Sequence, residues 1–139
     1  MRISWTGSAA EAMTVFLTLE DLLALVADLR VGPVRDIGLL DSAAHRPSTR
    51  LWGEPAYPDL DHRAAALLES LVRNHALVDG KEHLGWLAVV VFYGLNGVDL
   101  EAPDDDAYDL VIAVATGDAG VTAIAEHFSR WHAPLPEPS

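Results

Sequence analysis

Apolar residues recur every three or four positions in successive stretches of this chain, and Gly or Pro residues separate the stretches. The repeats begin after Thr18, Asp36, Asp59 and Lys81. Such spacing places the apolar side chains on one face of an α-helix, and that face is buried against other helices. The pattern predicts an all-α fold, a compact bundle of about six helices. The predicted helices cover about residues 18–31, 36–45, 59–74, 81–96, 107–116 and 121–131.

Several predicted helix ends carry their own signals. Thr18, with Glu20 and Asp21 behind it, is typical of a helix start, because hydroxyl and carboxylate groups bind the free N–H groups of a first turn. Pro103 and the aspartates at 104–106 predict an acidic loop that caps the helix after it.

The length of 139 residues fits one domain with its own core, since half of the residues are hydrophobic. We expect a short N-terminal arm over residues 1–17 and a single helical domain over residues 18–132. The Pro-rich end of the chain predicts a disordered tail over residues 133–139.

Charge and composition narrow the function classes. Nine Lys and Arg residues stand against 21 Asp and Glu residues, a formal net charge of −12. This sign opposes direct binding to nucleic acid or to an anionic membrane surface. The absence of cysteine excludes disulfides, zinc–thiolate sites and thiol catalysis. With no signal peptide and no stretch of about 20 apolar residues, a cytoplasmic protein is expected.

Residues 75–83 carry the strongest chemical signal, His-Ala-Leu-Val-Asp-Gly-Lys-Glu-His, in the break between two predicted helices. A Gly at a helix N-terminus lets the free backbone N–H groups approach an anionic ligand such as a phosphate, and Gly80 occupies that place. Just before it, His75 could act as a base, and Asp79 could hold Mg²⁺ against phosphate oxygens. Asp79 could equally cap the following helix.

This segment resembles the signature of the Fic/Doc family, which runs roughly His-x-Phe-x-Asp-Gly-Asn-Lys-Arg at the same junction of two helices. The resemblance extends over about residues 34–97 and is greatest to the death-on-curing (Doc) branch. It includes residues 34–43, Arg46-Pro47, the loop from Trp52 to Tyr57-Pro58, and residues 67–74.

The resemblance implies a small helical toxin of a toxin–antitoxin pair that transfers part of ATP to a protein hydroxyl. In the family most members transfer AMP, whereas the Doc branch moves the γ-phosphate onto a threonine of elongation factor Tu, a translation factor. His75 matches the base, Asp79 the Mg²⁺-associated carboxylate and Gly80 the start of the anion-holding turn. Leu77 stands where Phe anchors the family's loop in the core.

Three positions depart from the family signature. Lys81, Glu82 and His83 replace Asn-Lys-Arg, so these side chains sum to zero charge with His neutral, against plus two in the family. Near a polyphosphate this loss weakens binding. The segment from Gly80 to His83 is therefore predicted to bind phosphate or nucleotide in an impaired way. The alternative is a catalytically inactive relative that only binds a partner, with these three side chains solvated.

Two further sets of residues invite a functional interpretation. Arg46, Trp52 and Tyr57 lie in a Pro-rich aromatic loop of the kind that binds a target, although such residues can also simply pin a loop. The aromatic loop and the apolar helix faces also favour a groove for an antitoxin helix.

A metal centre is the remaining alternative. His75, Asp79 and His83 are spaced by four, which on a continuous helix would align three metal ligands. The break expected at Gly80 argues against that alignment.

Overall fold

A computed structural model describes residues 13–136, and within them six α-helices account for most of the chain. The all-α prediction is confirmed. The helices are α1 (Leu19–Leu29), α2 (Ile37–His45), α3 (Leu60–Arg73), α4 (Lys81–Leu95), α5 (Asp104–Ala115) and α6 (Val121–Ser129), with a 3₁₀ turn over Arg46–Ser48. The strands are β1 (Arg50–Leu51), β2 (Glu54–Pro55), β3 (Val98–Leu100) and β4 (His132–Pro134). They form two antiparallel pairs, β1 with β2 and β3 with β4.

The core is built around α3 and α4, which pack closely and carry the largest share of the fully buried side chains. Gly85 marks the close approach of the two helices. A β-carbon at Gly85 would lie 2.8 Å from Val72 Cγ2 and 3.1 Å from Leu68 Cδ1. This tight packing fixes the start of α4, where the 75–83 segment lies, relative to the end of α3.

The start of α1 follows the sequence prediction. Thr18 is the N-cap, and its hydroxyl accepts a hydrogen bond from the Asp21 N–H while the Asp21 carboxylate accepts one from the Thr18 N–H. This reciprocal pair satisfies two backbone donors that the helix itself leaves free. The start of α5 differs from the prediction, because Asp104 to Asp106 form its first turn rather than a loop before it. Negative charge in a first turn is favourable to the helix dipole.

Residues 133 and 134 do not belong to a disordered tail, since they pair with β3 in strand β4. Side chains anchor the strand as well. The Asp61 carboxylate accepts hydrogen bonds from His132 Nε2 and from the Tyr93 hydroxyl, both at 2.6 Å. Burial and the Asp61 carboxylate raise the pKa of Tyr93. A strand this short has no alternation that sequence analysis could detect, and residues 137–139 lie outside the described residues.

The predicted N-terminal arm is described only from residue 13, and this part packs on the helical body. The Val15 backbone exchanges two hydrogen bonds of 2.8 Å with the Asn96 side chain. Phe16 stacks on Phe92 with ring centroids 6.1 Å apart. Arg63, which is 3% exposed, donates to Thr14 Oγ1 at 2.8 Å. Among the helices in residues 13–136, none is long and apolar enough to cross a membrane.

Candidate functional site

The segment between α3 and α4, residues 74–80, is the site loop. Residues 32–36 hold it by backbone hydrogen bonds in the manner of a short antiparallel strand pair. The Gly32 N–H donates to the Asp79 carbonyl at 2.9 Å, and the Val78 N–H donates to the Pro33 carbonyl at 3.0 Å. The N–H of Arg35 donates to the Ala76 carbonyl at 2.8 Å. The loop is thus fixed along its length by a distant part of the chain.

The side chains of the site loop divide between core and surface. Ala76 and Leu77 are buried at 2% and 4% exposure, whereas His75 and Asp79 are exposed. Leu77 therefore lies in the core, where the family's Phe is expected to anchor the loop. Burial of the two apolar residues turns the two polar side chains toward solvent on either side of the anchor.

Gly80 is required at its position for two reasons. Its φ of 88° lies in the left-handed region that residues with a β-carbon rarely adopt. A β-carbon there would also lie 2.4 Å from Val31 Cβ. Any residue with a β-carbon would therefore strain the turn from the loop into α4.

Two side chains contact His75. Its backbone is in the left-handed region with φ of 58°, directly after the C-cap residue of α3, Asn74. The Arg35 guanidinium donates a hydrogen bond from Nη2 to the His75 carbonyl at 2.6 Å. Lys81 Nζ lies 3.2 Å from His75 Nδ1. The imidazole is therefore an exposed ring whose Nδ1 contacts an ammonium group.

Asp79 does not cap α4. Its Oδ1 accepts a hydrogen bond of 2.9 Å from the adjacent Gly80 N–H, whereas the N-cap position is occupied by Gly80, which has no capping side chain. The alternative role of Asp79 as the helix cap is therefore wrong. Its Oδ2 accepts no hydrogen bond from the part of the chain that is described. Among residues 13–136, no side chain accepts a hydrogen bond from the first-turn N–H groups of α4.

The arrangement around Asp79 fits Mg²⁺ held together with phosphates. Mg²⁺ is usually bound by one or two carboxylates, with substrate phosphate oxygens and water completing the octahedron. One exposed carboxylate beside a helix N-terminus with free N–H groups meets that requirement. No three His, Asp or Glu side chains within residues 13–136 converge as a metal site. The three-ligand alternative of His75, Asp79 and His83 is therefore not supported.

The three residues that depart from the family signature face two directions. Lys81 is half-buried and reaches His75. Glu82 and His83 line a cavity of about 270 Å³ between α4 and α5, which we call the α4–α5 groove. The other lining residues are Trp86, Asp104, Ala107, Tyr108, Val111 and Ile112. An apolar groove with carboxylates at its rim thus adjoins the site loop.

Arg46 and Tyr57, two of the three residues predicted to bind a target, are engaged within the fold. Arg46 donates to the Tyr57 hydroxyl at 3.0 Å, pairs with Glu69 at 2.8 Å and stacks over the Tyr57 ring. Burial by itself lowers the pKa of Arg46, but the bonds with Glu69 and Tyr57 outweigh it and raise that pKa. Trp52 is fully exposed at the turn between β1 and β2.

Two features of the site have no assignment from the sequence. Arg35 lies within residues 34–43, to which the family resemblance gives no role, and its bond to the His75 carbonyl depends on the pairing of two distant loops. The α4–α5 groove arises because Trp86 and Tyr108 come from different helices. In the sequence, the groove is indicated only by the apolar residues of the 104–115 segment, such as Tyr108 and Ile112.

The comparisons with known proteins agree with this geometry. A sequence model of the Fic/DOC family matches residues 16–93, more than half of the chain. The chain is also 44% identical over 128 residues to a protein named Toxin Doc from Mycolicibacterium smegmatis, covering 87% of this chain and 96% of that relative. A helical bundle with the histidine, aspartate and glycine of the signature on one loop defines the class. The chain belongs to the Fic/Doc family, within its Doc branch.

Proposed function

We propose that this chain is the toxin of a toxin–antitoxin pair and that it transfers the γ-phosphate of ATP to a hydroxyl of elongation factor Tu, which blocks translation in the cytoplasm. The observation that carries the proposal is the site loop. His75 and Asp79 are exposed on a segment that backbone hydrogen bonds fix at the N-terminus of α4. They lie next to Gly80, where a side chain would be strained and would crowd Val31. The similarity of the chain to a relative named Toxin Doc supports the proposed role as a toxin.

The residues have distinct tasks in this reaction. His75 takes the proton of the target hydroxyl as the oxygen attacks phosphorus. Asp79 would hold Mg²⁺, and the first-turn N–H groups of α4 would bind phosphate oxygens. Mg·ATP would supply the phosphoryl group, and ADP would leave as the bond between the γ-phosphorus and the β–γ bridging oxygen breaks. Because phosphoryl transfer needs little covalent help from the protein, fixing these groups in place is most of the catalysis.

An antitoxin segment is the partner that fits the α4–α5 groove. Trp86, Tyr108 and Ile112 give the groove an apolar wall, and Tyr108 is 67% exposed. Glu82 and Asp104 place carboxylates at its rim. A groove of this kind accepts an amphipathic helix with basic residues beside its apolar stripe. Such a helix would lie against the first turn of α4 and so obstruct the site loop.

Expression of the chain in a bacterial host tests the role of His75. The parent should arrest growth, and His75→Ala should restore it, because a positioned base contributes about 10²–10⁴-fold to rate. His45→Ala, at an exposed histidine that ends α2 outside the site loop and the α4–α5 groove, is the matched control and should remain toxic. Equal toxicity of the parent and His75→Ala at equal abundance would show that His75 is not the base.

A further inference from the structure

The contact between Lys81 and His75 has a chemical consequence for the imidazole. Lys81 is the only lysine of the chain, and its Nζ lies 3.2 Å from His75 Nδ1. A lysine ammonium carries three N–H donors and no acceptor. Nδ1 must therefore accept the hydrogen bond with its lone pair, and the proton of the neutral ring must lie on Nε2.

We propose that Lys81 is a positioning residue that holds His75 in the tautomer protonated at Nε2 and must release Nδ1 before the ring can act as a base. With the ammonium on Nδ1 and a proton on Nε2, neither ring nitrogen has a free lone pair. Release of Nδ1 lets a target hydroxyl proton pass to Nδ1, or lets the ring proton move to Nδ1 so that Nε2 can accept. This consequence rests on the proposed function of His75.

The residue type at position 81 departs from the family signature in a way that matters for this contact. The family signature has Asn there, whose amide offers both a carbonyl acceptor and N–H donors. Such an amide can support either tautomer of a neighbouring histidine, whereas a lysine supports only one. The half-buried position of Lys81 in the first turn of α4, beside the rigid site loop, keeps the ammonium within reach of the ring.

The tautomer can be measured by ¹⁵N NMR on the histidine rings of the free protein, at a pH where the imidazoles are neutral. His75→Gln assigns the signal. In the parent, Nδ1 should resonate as an unprotonated, hydrogen-bonded nitrogen and Nε2 as a protonated one. Lys81→Arg keeps a cationic donor and should preserve this state. Lys81→Met should shift Nδ1 toward the position of a free, exchanging ring.

Two NMR results would overturn the proposal. One is a proton on Nδ1 in the parent, and the other is an identical Nδ1 resonance in the parent and in Lys81→Met. The amide fingerprint of each variant verifies that it is folded. Because Lys81 is half-exposed at the start of a helix, Lys81→Arg and Lys81→Met should both keep the fingerprint of the parent.

Transfer kinetics at saturating Mg·ATP provide a second readout. Lys81→Met should raise kcat about tenfold, the order expected for loss of one charged hydrogen bond, while the KM for ATP also rises because a positive charge is lost. Gly94→Ala, inside α4 and away from the site loop, should leave kcat near the parent value. An unchanged or lower kcat in Lys81→Met would overturn the proposal. If no variant transfers phosphate, the proposed function fails, and the NMR comparison alone decides the role of Lys81.

Discussion

His75 and Gly80 both hold left-handed backbone conformations, with φ of 58° and 88°. At Gly80 this conformation costs little free energy because no β-carbon is present. At His75 the contacts of Arg35 and Lys81 stabilise the conformation. The motif could be read from the sequence, including the burial of Leu77. The need for glycine against Val31 and the ammonium on Nδ1 could not be read, because both depend on residues that meet only in the folded chain.

Gly80→Ala should lower the free energy of unfolding by about 2–4 kcal/mol. The loss has two sources, because a residue with a β-carbon is strained in the left-handed conformation and the added carbon crowds Val31. Urea unfolding measures the change. Gly94→Ala is the matched control, since Gly94 lies inside α4 and an added β-carbon meets no atom of the described residues within 4 Å. That variant should be stabilised by about 0.5–1 kcal/mol. Adding Val31→Ala to Gly80→Ala should recover part of the loss, and equal stability of Gly80→Ala and the parent would contradict the account.

The triplet Lys81-Glu82-His83 carries a second prediction at the residue scale. Replacing it with Asn-Lys-Arg raises the local charge from zero to plus two with His neutral. Two unit charges in contact attract each other by about 1 kcal/mol in bulk water and about 4 kcal/mol near a protein surface. Mg·ATP affinity should therefore increase at least about tenfold. Calorimetric titration measures the affinity. Equal affinity of the two proteins would show that the triplet does not contact the nucleotide.

At the scale of elements, all six predicted helices exist, and the errors lie where the elements are short or begin without a polar cap. The strands β1 to β4 are two or three residues long, which is too short for an alternating pattern. The sequence predicts the start of α5 at about residue 107, whereas the helix begins at Asp104. Its N-cap, Pro103, makes no side-chain hydrogen bond that would mark the start in the sequence. By contrast, Thr18 carries side-chain cap chemistry that the sequence displays.

The N-terminus of α3 provides a pH-dependent prediction. Asp59 is its N-cap, and its Oδ1 accepts a hydrogen bond of 2.8 Å from the His62 N–H. Burial by itself raises the pKa of Asp59, but the bonds from His62 outweigh it and lower that pKa. The stabilisation is therefore complete above the unfolded value of about 3.9 and is lost as the pH falls through the lowered pKa.

Asp59→Ala should cost about 1 kcal/mol of unfolding free energy at pH 7, and the difference from the parent should shrink as the pH falls below about 4. Denaturant unfolding across this pH range measures it. Asp59→Asn keeps a capping side chain and should lie much closer to the parent at pH 7. A loss that is constant with pH would rule out the carboxylate as its source.

At the scale of the whole molecule, the net charge of −12 favours association with a basic partner. The tail of a candidate antitoxin should bind the α4–α5 groove faster at low than at physiological salt and gain helicity on mixing. Stopped-flow mixing and circular dichroism measure both. Asp104→Asn should slow association, and Tyr108→Ala should mainly speed dissociation. An association rate that is flat or rises with salt would contradict the role of charge complementarity. No gain in helicity would contradict the role of the groove as a helix-binding site.

The most direct test of the whole account is label transfer from ATP to purified elongation factor Tu. With label at the γ-phosphate, the parent should label the factor in the presence of Mg²⁺, and His75→Ala should lose about 10²-fold or more of that rate. With label at the α-phosphate, no transfer should occur. Absence of transfer from both label positions, by a folded chain that still binds its antitoxin, would contradict the enzyme assignment and identify an inactive relative that acts by binding.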